Sequence, residues 1–559
     1  MFHARPAHRV RAYRPRLEIL EDRTLPSTFM VDHLADDTVG AGLTGSLRYA
    51  LTNAADNDHI TFGVTGTINL TGALPNLAHN ISIDGPGAAQ LIVRRDTGGS
   101  YGIFAVGSGA TVSISGLSIT NGYVAEFRAV GGGIDNAGTL TVSNCTISGN
   151  IASGAVAGSA GVGYGGGIAN FGTLTLSNST VAGNDARGAG EAGGGGISND
   201  RGTVTVNNST ISGNTALWQG IDLSGGAGGG IYNENGTVTI SSSTVSGNRA
   251  DGYYGGGGGI YNDDYGTLTL NNATVSGNSA ISFGGGISNS DAGTVTLNNA
   301  TVSGNSVFNG DGGGIVNTGA LTLNNATVSS NTLYGGGSGA GIANYGTLHA
   351  RNTIIAGNTP FFRNPDIDGN LGSQGHNLIG DPQDMTGWLD TDLLHVNPML
   401  GPLQDNGGST QTMALLPGSP AIDAGDNVGA PMWDQRGAPF HRIVNGIIDI
   451  GAFEVQARGY GGPTHQPLPD PVPVQGMPDG PLVGQPPDLP ADPTPVPEPG
   501  LLDGQVGQSE PVPVPTAGGQ HAPATSFGTY PGTGQPGASL VPLSASDLDA
   551  LALNMLGGP

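Results

Sequence analysis

The chain has 559 residues, of which 101 are glycine and 11% are charged, and its formal net charge is −25. All 18 basic residues are arginine, which excludes lysine chemistry such as Schiff bases and P-loops, and the acidic balance opposes nucleic-acid binding. The single cysteine, Cys145, allows no intrachain disulfide, and no apolar run reaches the ~18 residues of a membrane-spanning helix.

Residues 1–28 form a basic segment of export type, with an arginine-rich start but no apolar core, so they are not a standard signal peptide. Residues 29–125 read as an N-terminal cap and irregular first coils. Within them "GSLRYALTNAAD", 45–56, predicts a short helix with Leu47, Ala50 and Leu51 on one face. Such a helix covers the open strand edges at one end of a stack. Short strand runs follow, among them "ISIDGPG" and "SGLSITNG".

Residues 126–380 are regular repeats. "GGGIYNDDYGTLTLNNATVSGN", 257–278, is followed by "GGGISNSDAGTVTLNNATVSGN", and eight copies align. In each, an Ile is followed two residues later by Asn: Asn136, Asn170, Asn199, Asn233, Asn262, Asn289, Asn317 and Asn344. Each ends on a second Asn, from Asn150 to Asn358, 16 to 18 residues after the Ile. A loop of variable length then leads to the next copy. "TLTL" has the period of a strand with one buried face, which puts Leu268 and Leu270 inside and Thr267 and Thr269 outside. Ile260 and Val275 supply inward residues of two further strands, and Gly266 marks a turn. One such unit cannot bury its apolar side, but stacked copies can, and that is a parallel β-helix. Identical Asn side chains stacked at one turn then bond to one another as amide ladders.

After Asn358, "PDIDGNLGSQGHNLIG" reads as a last irregular coil. Residues 381–456 form a compact region without repeats. Residues 457–559 are dominated by Pro, Gly, Gln and Asp and read as a disordered tail, with "SASDLDALALNML" as an isolated amphipathic segment.

The repeats resemble those of bacterial pectin-lyase-like right-handed β-helix proteins and are similar to polymorphic outer-membrane protein repeats. "NPMLGPLQDNGGSTQTMALLPGSPAIDAGD", with "DQRG" and "DIGAFE", is similar to the choice-of-anchor Q domain. "LEILEDRTLPS" resembles an N-terminal motif of large exported proteins of some environmental bacteria. These resemblances imply an all-β right-handed parallel β-helix, secreted or on the cell surface. They also raise an enzyme reading, since many such folds cleave acidic polysaccharides.

Catalysis needs a site, and hydrolases need carboxylates facing one cleft. The repeat strands read as Thr, Ser, Asn and apolar residues, without outward carboxylates. His376, in "QGHN", lies in the irregular last coil, and Asp434, Arg436, Arg442, Asp449 and Glu454 read as a structural network. Two surface features stand out. Asp200, Glu234, Asp263, Asp264 and Asp291 occupy the Asn-to-Gly turn of four successive coils, where a hard cation such as Ca²⁺ would relieve their repulsion. The Thr-x-Thr pairs, from Thr139/Thr141 to Thr294/Thr296, form a flat hydroxyl-and-methyl face. Trp218, in one of the longest loops, is a candidate platform for a sugar ring. The reading is a monomeric adhesive or carbohydrate-binding protein without catalysis, contacting polysaccharide or cell-envelope components and requiring no cofactor, with Ca²⁺ as a candidate ligand of the acidic turns. The alternatives are a polysaccharide lyase or glycoside hydrolase, and a passive envelope spacer.

Overall fold

The computed structural model describes residues 25–154, 160–220, 225–253, 255–360, 366–382 and 386–456. The tail 457–559, its amphipathic segment and nearly all of the basic segment 1–28 lie outside the described residues.

The repeats wind into three long sheets, with one strand from each coil in each sheet. A ten-stranded sheet gathers the Ile-x-Asn strands, a fifteen-stranded sheet the Thr-x-Thr strands, and a thirteen-stranded sheet the Thr-x-Ser strands. Neighbouring coils pair in parallel and in register, for example Leu268 with Val295 and Leu270 with Leu297. The loops add an eight-stranded sheet and, in the coils with the longest loops, a four-stranded one. Coils wind with the right-handed crossover that strand twist favours between parallel strands, so the fold is a right-handed parallel β-helix. Ile260, Leu268, Leu270 and Val275 are fully buried, each on its predicted inward side.

Each corner of the coil has its own chemistry. Between the Ile-x-Asn and Thr-x-Thr strands stands the predicted ladder. Asn262 Nδ2 donates to Asn289 Oδ1 and to Gly266 O, both at 2.8 Å. Between the Thr-x-Thr and Thr-x-Ser strands the chain turns through a left-handed residue, Asn at seven of eight positions, such as Asn272 and Asn299. After the Thr-x-Ser strand comes a second, deeper ladder. Both the backbone N–H and Nδ2 of Asn248 donate to Asn278 Oδ1, each at 2.9 Å, and Nδ2 also reaches Ile211 O. This column ends on Asp366, whose Oδ1 accepts from Asn358 N and Nδ2 at 2.7 and 2.8 Å. Asn262→Ala leaves the amides of Asn233 and Asn289 short of a partner in a buried corner. It should cost about 1–3 kcal/mol in a denaturant melt.

The predicted helix is Leu47–Asn53, with Leu47, Ala50 and Leu51 buried and Ser46 capping it through Tyr49 N at 3.0 Å. The last irregular coil is present too: Ile367–Asp368, Gly372–Ser373 and Leu378–Ile379 extend the three long sheets. Among the described residues no helix is long and apolar enough to cross a membrane.

Residues 400–455 lie along the side of the solenoid, against the Thr-x-Ser sheet of its last coils. Thr274 Oγ1 donates to Gln411 O at 2.7 Å, Thr301 Oγ1 to Gln435 Oε1 at 2.6 Å, and Ala452 N to Thr327 Oγ1 at 3.0 Å. Thr274 and Thr301 are therefore fully buried, whereas their equivalents Thr180, Thr210 and Thr244 in earlier coils are half-buried.

Candidate functional site

The outer face of the Ile-x-Asn sheet carries the densest chemistry. The strands Ile197–Asp200, Ile231–Glu234 and Ile260–Asp263 pair in register, which aligns Asp200 with Glu234 and Glu234 with Asp263. The alternation that sends Ile and Asn inward sends Ser198, Tyr232 and Tyr261, and then these three carboxylates, outward. The expectation that the regular coils carry no outward strand carboxylates is therefore wrong. The acids close the strands, and sequence reading had placed them in the turn.

The five predicted acidic residues also split into two columns. The rung after Asp263 is Ser290, whose backbone N–H donates to Asn262 O and whose Oγ meets Tyr261 Oη at 3.1 Å. Asp264 and Asp291 stand one position later, because these two coils close through a longer turn in which Gly266 N and Gly293 N bond back to Asp263 O and Ser290 O. Asp200 has cationic neighbours, Arg201 Nε at 2.7 Å and Arg128 Nη2 at 3.7 Å. Among the described residues no three His, Cys, Asp or Glu side chains are grouped so as to hold a metal ion.

The four-stranded sheet brings two more groups to this face. Tyr164 stacks on Tyr232 with ring centroids 6.0 Å apart, and Tyr232 meets Tyr261 at 5.8 Å. The two stacked rings close over Gly193, where a Cβ would lie 2.8 Å from a ring carbon of each. Tyr164 Oη donates to Glu191 at 2.7 Å and Tyr232 Oη to Asp263 at 3.0 Å. Burial, reinforced by these carboxylates, raises both phenols far above the ordinary range and pushes Tyr261 up to about 12, so all three remain hydroxyl donors. A cleft of about 230 Å³ lies among them, lined by Glu191, Tyr232, Tyr261 and Asp263. Beside it Glu234 is half-buried, and its carboxyl is raised by burial and then by Asp200, Glu191, Asp263 and Asp264.

Trp218 does not line this cleft. It ends the strand Thr215–Trp218 in the eight-stranded sheet, half-buried, with its Cβ close to Gly252. The tyrosines that do line it had a signal in the sequence: "IYN" stands at the same repeat position in two consecutive coils, each followed by an acid. The Thr-x-Thr pairs stand in register along their sheet, half-buried or exposed on its outer face. His376 faces the side region and contacts Ala424 O through Nδ1 at 2.9 Å.

The predicted network of arginines and carboxylates is buried within the side region. Arg436 forms a bidentate pair with Asp434, with Nη2 to Oδ2 at 2.6 Å, and its guanidinium lies between the rings of Phe440 and Phe453, 3.9 and 3.8 Å from their centroids. Arg442 is fully buried and donates through Nη2 to Asp449 O and Gly451 O, at 2.9 and 2.6 Å. Glu454 accepts from Asp449 N at 2.8 Å, and burial beside Asp449 pushes its carboxyl up to about 8.

No family model matches the chain, so the resemblances to the choice-of-anchor Q domain and to polymorphic outer-membrane protein repeats rest on sequence motifs alone. No curated protein matches. Among solved structures the chain is similar to a pectate lyase, Pel9A, at 12% identity and a TM-score of 0.38, over 77% of this chain and 97% of that one. It is similar to the Dettilon tailspike protein gp208 at 14% identity and a TM-score of 0.35, over 64% and 66%. A third likeness is to ORF18 of Geobacillus virus E2, at 10% identity and a TM-score of 0.24, over 56% and 57%. Likeness at this level says nothing about what the chain binds.

Proposed function

We propose that this is a secreted or cell-surface β-helix protein, monomeric, that binds carbohydrate in the cleft lined by Glu191, Tyr232, Tyr261 and Asp263 and does not cleave it. The observation that carries the reading is the lining itself, aromatic side chains beside carboxylate acceptors on a rigid sheet. Aromatic rings pack against the C–H faces of a sugar, and carboxylates accept strong bonds from its hydroxyls. The same carboxylates repel uronates, so the favoured ligand is neutral, and a polysaccharide of the cell envelope is the partner proposed. The test is titration calorimetry of the full chain with neutral oligosaccharides. Tyr261→Ala and Asp263→Asn should each weaken binding about tenfold or more, roughly 1.4 kcal/mol. Unchanged affinity in both variants would overturn the reading.

Glycoside hydrolysis is a second reading, favoured by one observation. Glu234, held toward its protonated form, stands in register with Asp200, whose charge is matched by Arg201. Inverting and retaining hydrolysis both pair a protonated with an ionised carboxyl. Release of reducing ends by the wild type, abolished in Glu234→Gln, would establish it.

Calcium belongs to the proposal as a stabiliser of the acidic edge, Asp200, Glu234, Asp263, Asp264 and Asp291. With few protein ligands per ion, water completes the shell and affinity falls in the range of about 10⁻⁴ to 10⁻³ M. Millimolar Ca²⁺ should raise the melting midpoint of the wild type and leave a variant with all five changed to Asn or Gln unmoved. Equal shifts would reduce the edge to a solvated rim.

A further inference from the structure

A separate pocket of about 330 Å³ lies where residues 428–431 meet the solenoid. Its solenoid wall is built from the corner after the Thr-x-Thr strands. Asn298, Asn324 and Arg351 are successive rungs in register. Asn298 Nδ2 donates to Asn271 Oδ1 and Asn324 Nδ2 to Asn298 Oδ1, both at 3.0 Å, and each amide keeps a second N–H and further acceptor capacity. The opposite wall includes Val428 and Pro431, with Val428 70% exposed at the surface.

Two observations bear on what the pocket takes. Arg351 Nη2 is paired with Asp426 Oδ2 at 2.7 Å, so its charge is matched within the protein. The spare N–H groups and acceptor capacity of Asn298 and Asn324 in one wall suit a group that is both acceptor and donor, as a hydroxyl is. The matched charge and the acidity of the chain disfavour an anion. A cavity near 300 Å³ is at the small end of ligand sites.

We propose that this pocket is a second binding site, for one neutral sugar or polyol unit. The row of asparagine amides and Arg351 would hold its hydroxyls, and Val428 and Pro431 would cover its C–H face. The site is independent of the tyrosine cleft and joins the side region to the solenoid.

The test follows the side-chain amide NMR signals of the full chain during titration with glucose and, separately, with glucuronate. Saturable shifts at the Asn298 and Asn324 amides of wild type are expected with glucose, with glucuronate binding no tighter. A double variant, Asn298→Ala with Asn324→Ala, should weaken binding at least tenfold when followed at signals outside the row. Val428→Trp, an exposed position, should do the same by filling the mouth and leaves the asparagine row intact should the double variant fail to fold. Tyr261→Ala should leave the shifts unchanged, which separates this site from the cleft. The proposal is overturned by absence of saturable shifts, by full binding in Val428→Trp, by loss of the shifts in Tyr261→Ala, or by tighter binding of glucuronate.

Discussion

Gly229→Val is expected to abolish cooperative folding of the coil that carries Tyr232 and Glu234. Gly229 is the middle residue of a Gly-Gly-Gly run that brings the chain back from the loop to the Ile-x-Asn strand. A Cβ there would lie 2.5 Å from both the backbone N and C of Arg249, in the strand that leaves the same coil. No rotamer relieves that overlap, because the obstacle is main chain. Gly195 meets Thr215 and Gly258 meets Ser279 in the same way. The second glycine of the motif is thus set by strand-to-strand approach, whereas the first, Gly228, is set by its left-handed φ of 61°. The expected loss is about 4 kcal/mol or more, the range that marks steric conflict in a packed interior. A urea melt of the full chain measures it, with Thr239→Val on the outer face as the control. A loss below ~1 kcal/mol would mean that the two segments of this coil part more easily than their close packing implies.

Arg442→Met should undock the side region, and more so at alkaline pH. Three buried carboxylates, Asp434, Asp449 and Glu454, face two buried guanidiniums, Arg436 and Arg442. Fully ionised, the group carries one excess negative charge, and the raised carboxyls of Glu454 and Asp449 are where a proton removes it. Removing Arg442 leaves two such charges, and breaking a buried ionic group in this way costs about 3–5 kcal/mol. Glu454 titrates near 4.5 when unfolded and near 8 when folded. Its contribution is complete below pH 4.5 and is lost as pH rises through 8, since over that window only the folded state holds the proton. Hydrogen exchange of residues 400–455 should therefore be slower at pH 5 than at pH 9, and Glu454→Gln should flatten the difference. A pH-independent exchange profile in the wild type, after correction for intrinsic rates, would contradict the excess-charge account.

The fold was legible because its signals are local and repeated. Alternation in "TLTL" is enough to send Leu268 and Leu270 inward, and an invariant Asn at a turn is enough to predict a ladder. The site was less legible because it depends on register between coils of unequal length. Asp291 shares a turn with the other acids, yet it stands two residues after Asn289 while Asp263 stands one after Asn262, and the pairing of strands shows that Ser290 takes the rung and leaves Asp291 off the column of Asp263. Glu191 and Tyr164 come from loops whose lengths follow no period, so nothing local places them beside Asp263 and Tyr232. Gln435 reaches Thr274 and Thr301 from more than a hundred residues away, and no periodicity encodes where such a region lands.

The most direct measurement of the central claim is a structure of the full chain with a neutral oligosaccharide bound. The account predicts a sugar ring against Tyr261, within hydrogen-bond distance of Glu191 and Asp263, with the glycosidic bonds intact. A ligand seated instead along the Thr-x-Thr face, with the cleft of Tyr232 and Tyr261 empty, would contradict it.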